Sequence, residues 1–205
     1  MNTQRVLVTA ASKHGATHEI ADALARRMQE HPEAVPAELV AASVPVERGP
    51  DPRTYDAVVL GSAVYAGSWR EEARHFATEH AATLRQRPVW LFSSGPIGDP
   101  PFPPDEPHDV AALTHLIGAR GHRILPGRLE KNRLTFPERA MVTAMRAPVG
   151  DFRDWGLVRV WADAIVAALV GEVVPTTPRA DRGPAGADAR RDSGYGVQEH
   201  GRQAT

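Results

Sequence analysis

The chain has 205 residues, with 24 Lys and Arg against 25 Asp and Glu, a formal net charge of −1 and no cysteine. That length carries one domain with a real core. The balanced charge offers none of the basic field expected of a nucleic-acid binder, and the missing thiols exclude disulfides, thiolate catalysis and thiolate metal sites. No stretch approaches the ~18 consecutive apolar residues of a membrane span, and the opening Met1-Asn2-Thr3-Gln4-Arg5 lacks a signal-peptide core, so a cytoplasmic protein is expected.

In chain order, Arg5 to Thr9 reads as a buried first strand. Thr17 to Gln29 follows as a helix, with Ile20, Leu24 and Met28 at i, i+4 and i+8 on one face. Ala37 to Val40 is a weak second strand and Asp56 to Leu60 a strong third. Trp69, Ala73, Phe76, Ala77, His80 and Leu84 mark one helix, Pro88 to Phe92 a fourth strand, Asp109 to Ala119 a third helix and His122 to Leu125 a fifth strand. Trp155, Val158, Ala162, Ile165 and Leu169 give a last helix with a clear apolar face. The strands are continuous apolar runs, the pattern of burial on both faces. With helices between them, an α/β fold with a doubly wound, five-stranded parallel sheet is predicted, in the order 2-1-3-4-5.

From Pro175 the texture changes. Residues 175–205 hold five Gly and three Pro among many Arg and Asp, with Tyr195 and Val197 as the large apolar or aromatic side chains near the end. Such a segment cannot offset its ordering entropy by burial. The expected organisation is a domain over residues 1–174 and a disordered tail over 175–205.

The chemistry starts at Ser12-Lys13-His14-Gly15-Ala16-Thr17, between the first strand and the first helix. A helix N-terminus presents unpaired N–H groups and partial positive charge, which stabilise a phosphate. Ser12 and Thr17 add hydroxyl donors, and Gly15 lets the backbone close in without a Cβ. A plain helix N-cap uses the same residue types. The loop lacks the G-x-G-x-x-G of dinucleotide binders and the G-x-x-x-x-G-K-[ST] of nucleotide triphosphatases.

Ligands of such sheets bind outside the carboxyl ends of the strands. Two further loops fall on that edge: Gly61 to Trp69 after the third strand and Ser93 to Asp99 after the fourth. Both are rich in small and hydroxyl residues, and three such loops together are far more specific than any one. The candidate cofactor-binding residues are Ser12, Lys13, His14, Gly15, Ala16 and Thr17 in the first loop, Ser62, Ala63, Val64, Tyr65, Ala66 and Gly67 in the second, and Ser93, Ser94, Gly95, Pro96, Ile97 and Gly98 in the third.

Over residues 4 to about 170 the chain resembles the flavodoxin superfamily, and within it the branch of menaquinone-dependent protoporphyrinogen IX dehydrogenase and related flavodoxin-domain proteins. The residues that carry the resemblance are Ser12 to Thr17 followed by His18-Glu19-Ile20-Ala21, the run Val58 to Gly67, Pro126-Gly127-Arg128-Leu129, and Gly150-Asp151-Phe152-Arg153-Asp154-Trp155. Ser12, Gly15 and Thr17 match the family's phosphate loop, while Lys13 and His14 replace its usual hydroxyl residues. The resemblance implies FMN as cofactor and an oxidoreductase that moves electrons between a reduced organic substrate, for instance a porphyrinogen, and a quinone-type acceptor. A flavin ring needs backbone partners at its edge and an apolar wall. Tyr65 and Trp69 are candidates for that wall, and packing within the protein is the other role open to each.

The segment between Pro126 and Pro148 resembles the extra segment of longer family members. From Arg123 to Arg146 it has six basic residues against Glu130 and Glu138, with Leu129, Leu134, Phe136, Met141, Val142 and Met145 interleaved, and Pro137 can open a helix there. It reads either as a surface for an acidic substrate or an anionic membrane face, or as a solvated helix packed by its apolar side. An electron carrier generally bears an acidic surface, so this near-neutral chain fits a carrier role less well; a flavodoxin-type carrier or partner-binding module without its own substrate is the alternative reading. His14 and His18 stand at i, i+4 without a third metal ligand, and Gly61-Ser62-Ala63 is not the G-x-S-x-G nucleophile elbow. No metal is expected and no catalytic residue is named, since a flavin carries the hard step itself.

Overall fold

A computed structural model describes residues 3–95, 97–98 and 106–171. Its elements are β1 (Gln4–Ala11), α1 (Ala16–Glu30), β2 (Leu39–Ser43), β3 (Ala57–Tyr65), β4 (Ser68–Trp69), α2 (Glu71–Glu79), α3 (Ala81–Leu84), β5 (Val89–Ser94), α4 (Val110–Ile117), β6 (Gly121–Leu125), β7 (Arg128–Leu129), α5 (Phe136–Ala144), β8 (Gly150–Asp151) and α6 (Trp155–Gly171). The tail expected over 175–205, Pro96 and most of the proline-dense stretch after Gly98 lie outside the described residues.

The five parallel strands run β2-β1-β3-β5-β6. Leaving out the short β4, this is the 2-1-3-4-5 order read from the sequence. Alternation along each strand explains the two-sided burial. Val6, Val8 and Val59 face α1 and α6, joined there by Ile20, Leu24, Met28, Val158, Ile165 and Leu169. Leu7, Val58, Leu60 and Leu91 face the opposite way, onto Phe76, Leu84, Leu113 and Ile117 of the helices α2 to α4. A strand apolar at every position is thereby buried on both sides.

Three elements depart from the sequence reading. Strand β3 does not stop at Leu60 but continues through Gly61-Ser62-Ala63-Val64-Tyr65 and folds back onto β4, with Val64 opposite Trp69 and Tyr65 opposite Ser68. Ala66 and Gly67 form the two-residue turn, both at positive φ (48° and 77°), as a type I′ hairpin requires. Trp69 therefore ends a hairpin instead of starting a helix. The helix expected over Trp69 to Leu84 is two, α2 and α3, because His80 leaves helical geometry at φ −100°, ψ 14°. Strand β2 begins at Leu39, two residues later than expected, because Val35 to Glu38 is spent in a turn closed by Leu39 N–H to Ala34 O (2.9 Å), with Glu38 at φ 50°.

Residues 126–151 form a strap over the carboxyl edge of the sheet. Strands β7 and β8 pair antiparallel, Arg128 opposite Asp151 and Leu129 opposite Gly150, and α5 stands between them. Pro137 lies in the first turn of α5, where its missing N–H costs little. Thr135 caps the start: its N–H and its hydroxyl donate to the Glu138 carboxylate at 2.7 and 2.8 Å.

Candidate functional site

Sheet register decides which residues meet. β1 places Ala11 beside Ser62 of β3, and β3 places Ser62 beside Ser93 and Ala63 beside Ser94 of β5. The ends of three neighbouring strands are thus level, and the segments that leave them converge on one cleft of about 220 Å³. Ser12, Lys13, His14, Ala16 and Thr17 line it from the first segment, Ala63, Val64, Tyr65 and Ala66 from the second, and Ser94, Gly95 and Ile97 from the third. The strap closes the remaining side with Gly127, Arg128, Arg133, Glu138, Met141, Val142 and Met145.

The first segment is a tight turn from strand to helix. Gly15 takes φ 85°, which a side chain disfavours, and this turns the chain into α1. Ser12 Oγ accepts the Thr17 N–H at 3.3 Å, and Gly15 O accepts the Glu19 N–H at 3.0 Å. Lys13 Nζ lies 5.5 Å from the centre of the Tyr65 ring, so the cation of one wall reaches the aromatic of the next. Tyr65 is partly exposed at the cleft, and its hydroxyl is held protonated, with a pKa raised to about 12 first by burial and then by the Glu138 charge. Lys13 Nζ and His14 Nε2 contact Glu138 Oε1 at 2.6 and 3.2 Å. The Lys13 hydrogen bond is the chief reason that the Glu138 pKa falls to about 2. At Gly127 the strap touches the sheet edge backbone to backbone: a Cβ there would stand 2.8 Å from Gly95 Cα.

A family model described as a flavodoxin domain matches residues 7–154. The chain belongs to the flavodoxin-domain family. No curated protein matches it in sequence. Among solved structures it is similar to a flavodoxin from the domain Archaea, with a TM-score of 0.54 and 11% identity over 82% of this chain and 100% of that one. An oxidoreductase from Corynebacterium diphtheriae gives 0.51 and 13%, over 83% and 98%. The rubredoxin oxygen:oxidoreductase of Desulfovibrio gigas gives 0.54 and 13% over 82% of this chain, which spans 37% of that protein's length. At these identities the likeness is one of fold.

Five candidate residues of this flavodoxin domain stand back from the cleft. Gly15 and Gly67 shape turns at positive φ, Gly67 with His108 Nε2 2.8 Å from where a Cβ would be, and Gly98 is likewise at φ 81°. Ser62 is fully buried, its hydroxyl donating to Ala63 O (2.8 Å) and accepting the Arg70 N–H (2.9 Å). Ser93 is fully buried too, held between Trp69 Nε1 (2.7 Å) and His122 Nε2 (2.8 Å). With Glu106 Oε1 3.8 Å from His122 Nδ1, this looks like a Ser-His-Glu triad. It is not placed to act as one, because Ser93 is fully buried and Trp69 Nε1 donates to one of the two lone pairs of its hydroxyl. Burial also lowers the His122 pKa. Trp69, 2% exposed within the core, packs there instead of forming a cleft wall.

His14 and His18 diverge: His18 Nε2 faces Ala10 O (3.1 Å) and Glu47 (3.4 Å), away from the Glu138 contact of His14. Among the described residues no group of three or more His, Asp or Glu could hold a metal ion, and no helix is long and apolar enough to cross a membrane.

Beneath the strap lies a charged network that spacing alone does not reveal. Arg128 grips Glu19 of α1 with two bonds (2.8 and 3.1 Å), and Arg153 reaches Glu19 (2.6 Å) and Asp151 (2.6 and 2.8 Å). The two guanidinium side chains are 9% and 5% exposed. Burial pushes the Glu19 carboxyl up, but the hydrogen bonds and charges of Arg153 and Arg128 outweigh it and leave the pKa below the usual range. The Arg153 hydrogen bond lowers Asp151 likewise. Arg153 also stacks over Trp155 at 4.6 Å. The sequence reading singles out every member of this set, Glu19 in the run after the first loop, Arg128, and the stretch Gly150 to Trp155, but not that they meet.

Proposed function

We propose that this flavodoxin domain binds FMN in the cleft and works as an oxidoreductase between a reduced organic substrate and a quinone-type acceptor. The observation that supports it most is the level register of β1, β3 and β5, which brings three small-residue segments to one cleft at the sheet's carboxyl edge. That is where open α/β sheets bind ligands. The residues fit the group: the N-terminus of α1, turned into place by Gly15, with Ser12 and Thr17 would take the phosphate, Lys13 and His14 would face its charge, and Val64, Tyr65 and Gly95 would bound the ring. When bound, the flavin supplies the electron and hydride chemistry, and the chain supplies binding and electrostatics.

In each turnover two electrons and two protons leave the substrate and appear on the acceptor as a quinol. A porphyrinogen is the substrate to test first. The sequence resemblance points to it, and the strap sets Met141, Val142 and Met145 beside Arg133 at the cleft. Exposed Phe136, with Arg139 and Arg146 on the same strap, supports approach of the acceptor from an apolar, anionic surface such as a membrane.

The test is a titration of the full chain with FMN, followed by desalting and a visible spectrum. One oxidised flavin retained per chain, and then porphyrinogen oxidation that depends on an added quinone, is the expected result. A chain that takes up no flavin overturns the proposal. A chain that holds flavin without turning over any reduced substrate is an electron carrier.

A further inference from the structure

Glu138 is a charged group of the strap whose side chain meets those of the first loop at the phosphate end of the cleft. Its carboxylate is shared between two anchors. Oε2 accepts from the Thr135 N–H and hydroxyl at 2.7 and 2.8 Å, which ties the side chain to the start of α5. Oε1 faces the cradle, 2.6 Å from Lys13 Nζ and 3.2 Å from His14 Nε2. The side chain is 17% exposed, and Arg133 Nη1 adds a second tie from the same segment by donating to His14 O at 3.1 Å.

A carboxylate with four donors is pre-organised, and its low pKa keeps it ionised at any physiological pH. It therefore stands where the cradle would receive another anion. A phosphate monoester carries close to two negative charges near pH 7. Two anions on one lysine repel, and the weaker bound must leave or both must bind less tightly.

We propose that Glu138 is a built-in counter-anion of the phosphate loop and a determinant of ligand choice. A phosphorylated ligand takes Lys13 and His14 only by exchanging with this carboxylate, so the cleft favours FMN over riboflavin by less than its cradle alone would. The inference rests on the flavin reading above and adds that the inserted helix sets the affinity for the phosphate.

The experiment compares the wild-type chain with Glu138→Gln, which keeps the size of the side chain and an acceptor for Thr135 but removes the charge. FMN and riboflavin are titrated into both by quenching of flavin fluorescence. The expected result is an FMN Kd about tenfold lower in the variant, about 1.4 kcal/mol, with the riboflavin Kd unchanged. Inorganic phosphate, used as a probe, should then shift the His14 ring resonances at lower concentration in the variant.

A wild-type measurement guards against a variant that does not fold. Amide hydrogen exchange over residues 135–144 should rise when FMN binds, because the tie to Lys13 is broken. Equal FMN-to-riboflavin preference in the two proteins, or unchanged exchange over that segment with FMN bound, overturns the role of Glu138 and leaves flavin binding standing. Failure of both proteins to take up FMN removes the flavin reading and this inference with it.

Discussion

The sheet and the strap that crosses its carboxyl edge are held by different forces. Val6, Val58, Leu60, Leu91 and Phe92 are fully buried, whereas no residue of α5 is buried and Phe136 and Met141 stand in solvent. Beside buried Leu134 and the β7–β8 pairing, charge fixes the strap: Arg128 and Arg153 on Glu19, Arg153 on Asp151, and Glu138 on Lys13 and His14. One wall of the cleft is thus as permanent as the core, while the opposite wall depends on ionisation. Apolar burial is non-directional and survives changes of salt and pH, whereas ion pairs answer to both.

The largest expected effect comes from breaking the core. Phe92 is fully buried, stands 5.9 Å from Trp161 ring to ring, and lies so close over Gly61 that a Cβ there would be 2.1 Å from its ring. Phe92→Ala should cost about 3–5 kcal/mol, read by urea unfolding, and should loosen sheet and strap together. A loss confined to the strap would refute the division drawn here.

A smaller effect is expected from Arg153→Met, which keeps the stem over Trp155 but deprives Asp151 of its guanidinium partner and leaves Glu19 with Arg128 alone. Each carboxylate is 43% exposed, and solvent compensates both in part. The cost should be about 1 kcal/mol, near the low end for a bond to a charged group. Amide exchange should rise over residues 126–152 and stay unchanged in β1, β3 and β5. Equal loosening of the strands would mean that the strap is not a separate unit of stability.

The mildest change is acid. Glu19, Asp151 and Glu138 all have pKa values lowered by folding, Glu138 to about 2. Their contribution is complete above their ordinary pKa values, near ~4, and fades as the pH falls through the folded ones. Backbone NMR from pH 5 down through about pH 2 should show the strap's resonances moving before those of the sheet. Simultaneous loss of both would overturn this order.

The sequence makes the sheet legible because its signals are local. Val6-Leu7-Val8 and Val58-Val59-Leu60 announce two-sided burial without any partner being known. The cradle is legible for the same reason, since Ser12, Gly15 and Thr17 are all contiguous with the helix they serve. The β3–β4 hairpin is not. Gly61, Ser62 and Ala63 have low strand propensity, and the turn places a non-glycine residue, Ala66, at positive φ. Nor is the network under the strap: Glu19 lies 109 residues from Arg128 and 134 from Arg153, so only the fold reveals the pairing. Glu138 is hidden in another way. In sequence it is a minority charge in a basic segment, and only its placement against Lys13 gives it meaning.

The buried chain from Trp69 through Ser93 to His122 has a polarity of its own. An indole N–H can only donate. Ser93 therefore accepts from Trp69, and its own proton is used in full only if it is given to His122 Nε2, which must then be bare. In that arrangement the imidazole proton is on Nδ1, on the side of Glu106. A tryptophan at the end of a hairpin thereby favours one tautomer of a histidine on β6. Trp69→Phe would release that constraint, letting the serine reverse and the histidine carry its hydrogen on either nitrogen.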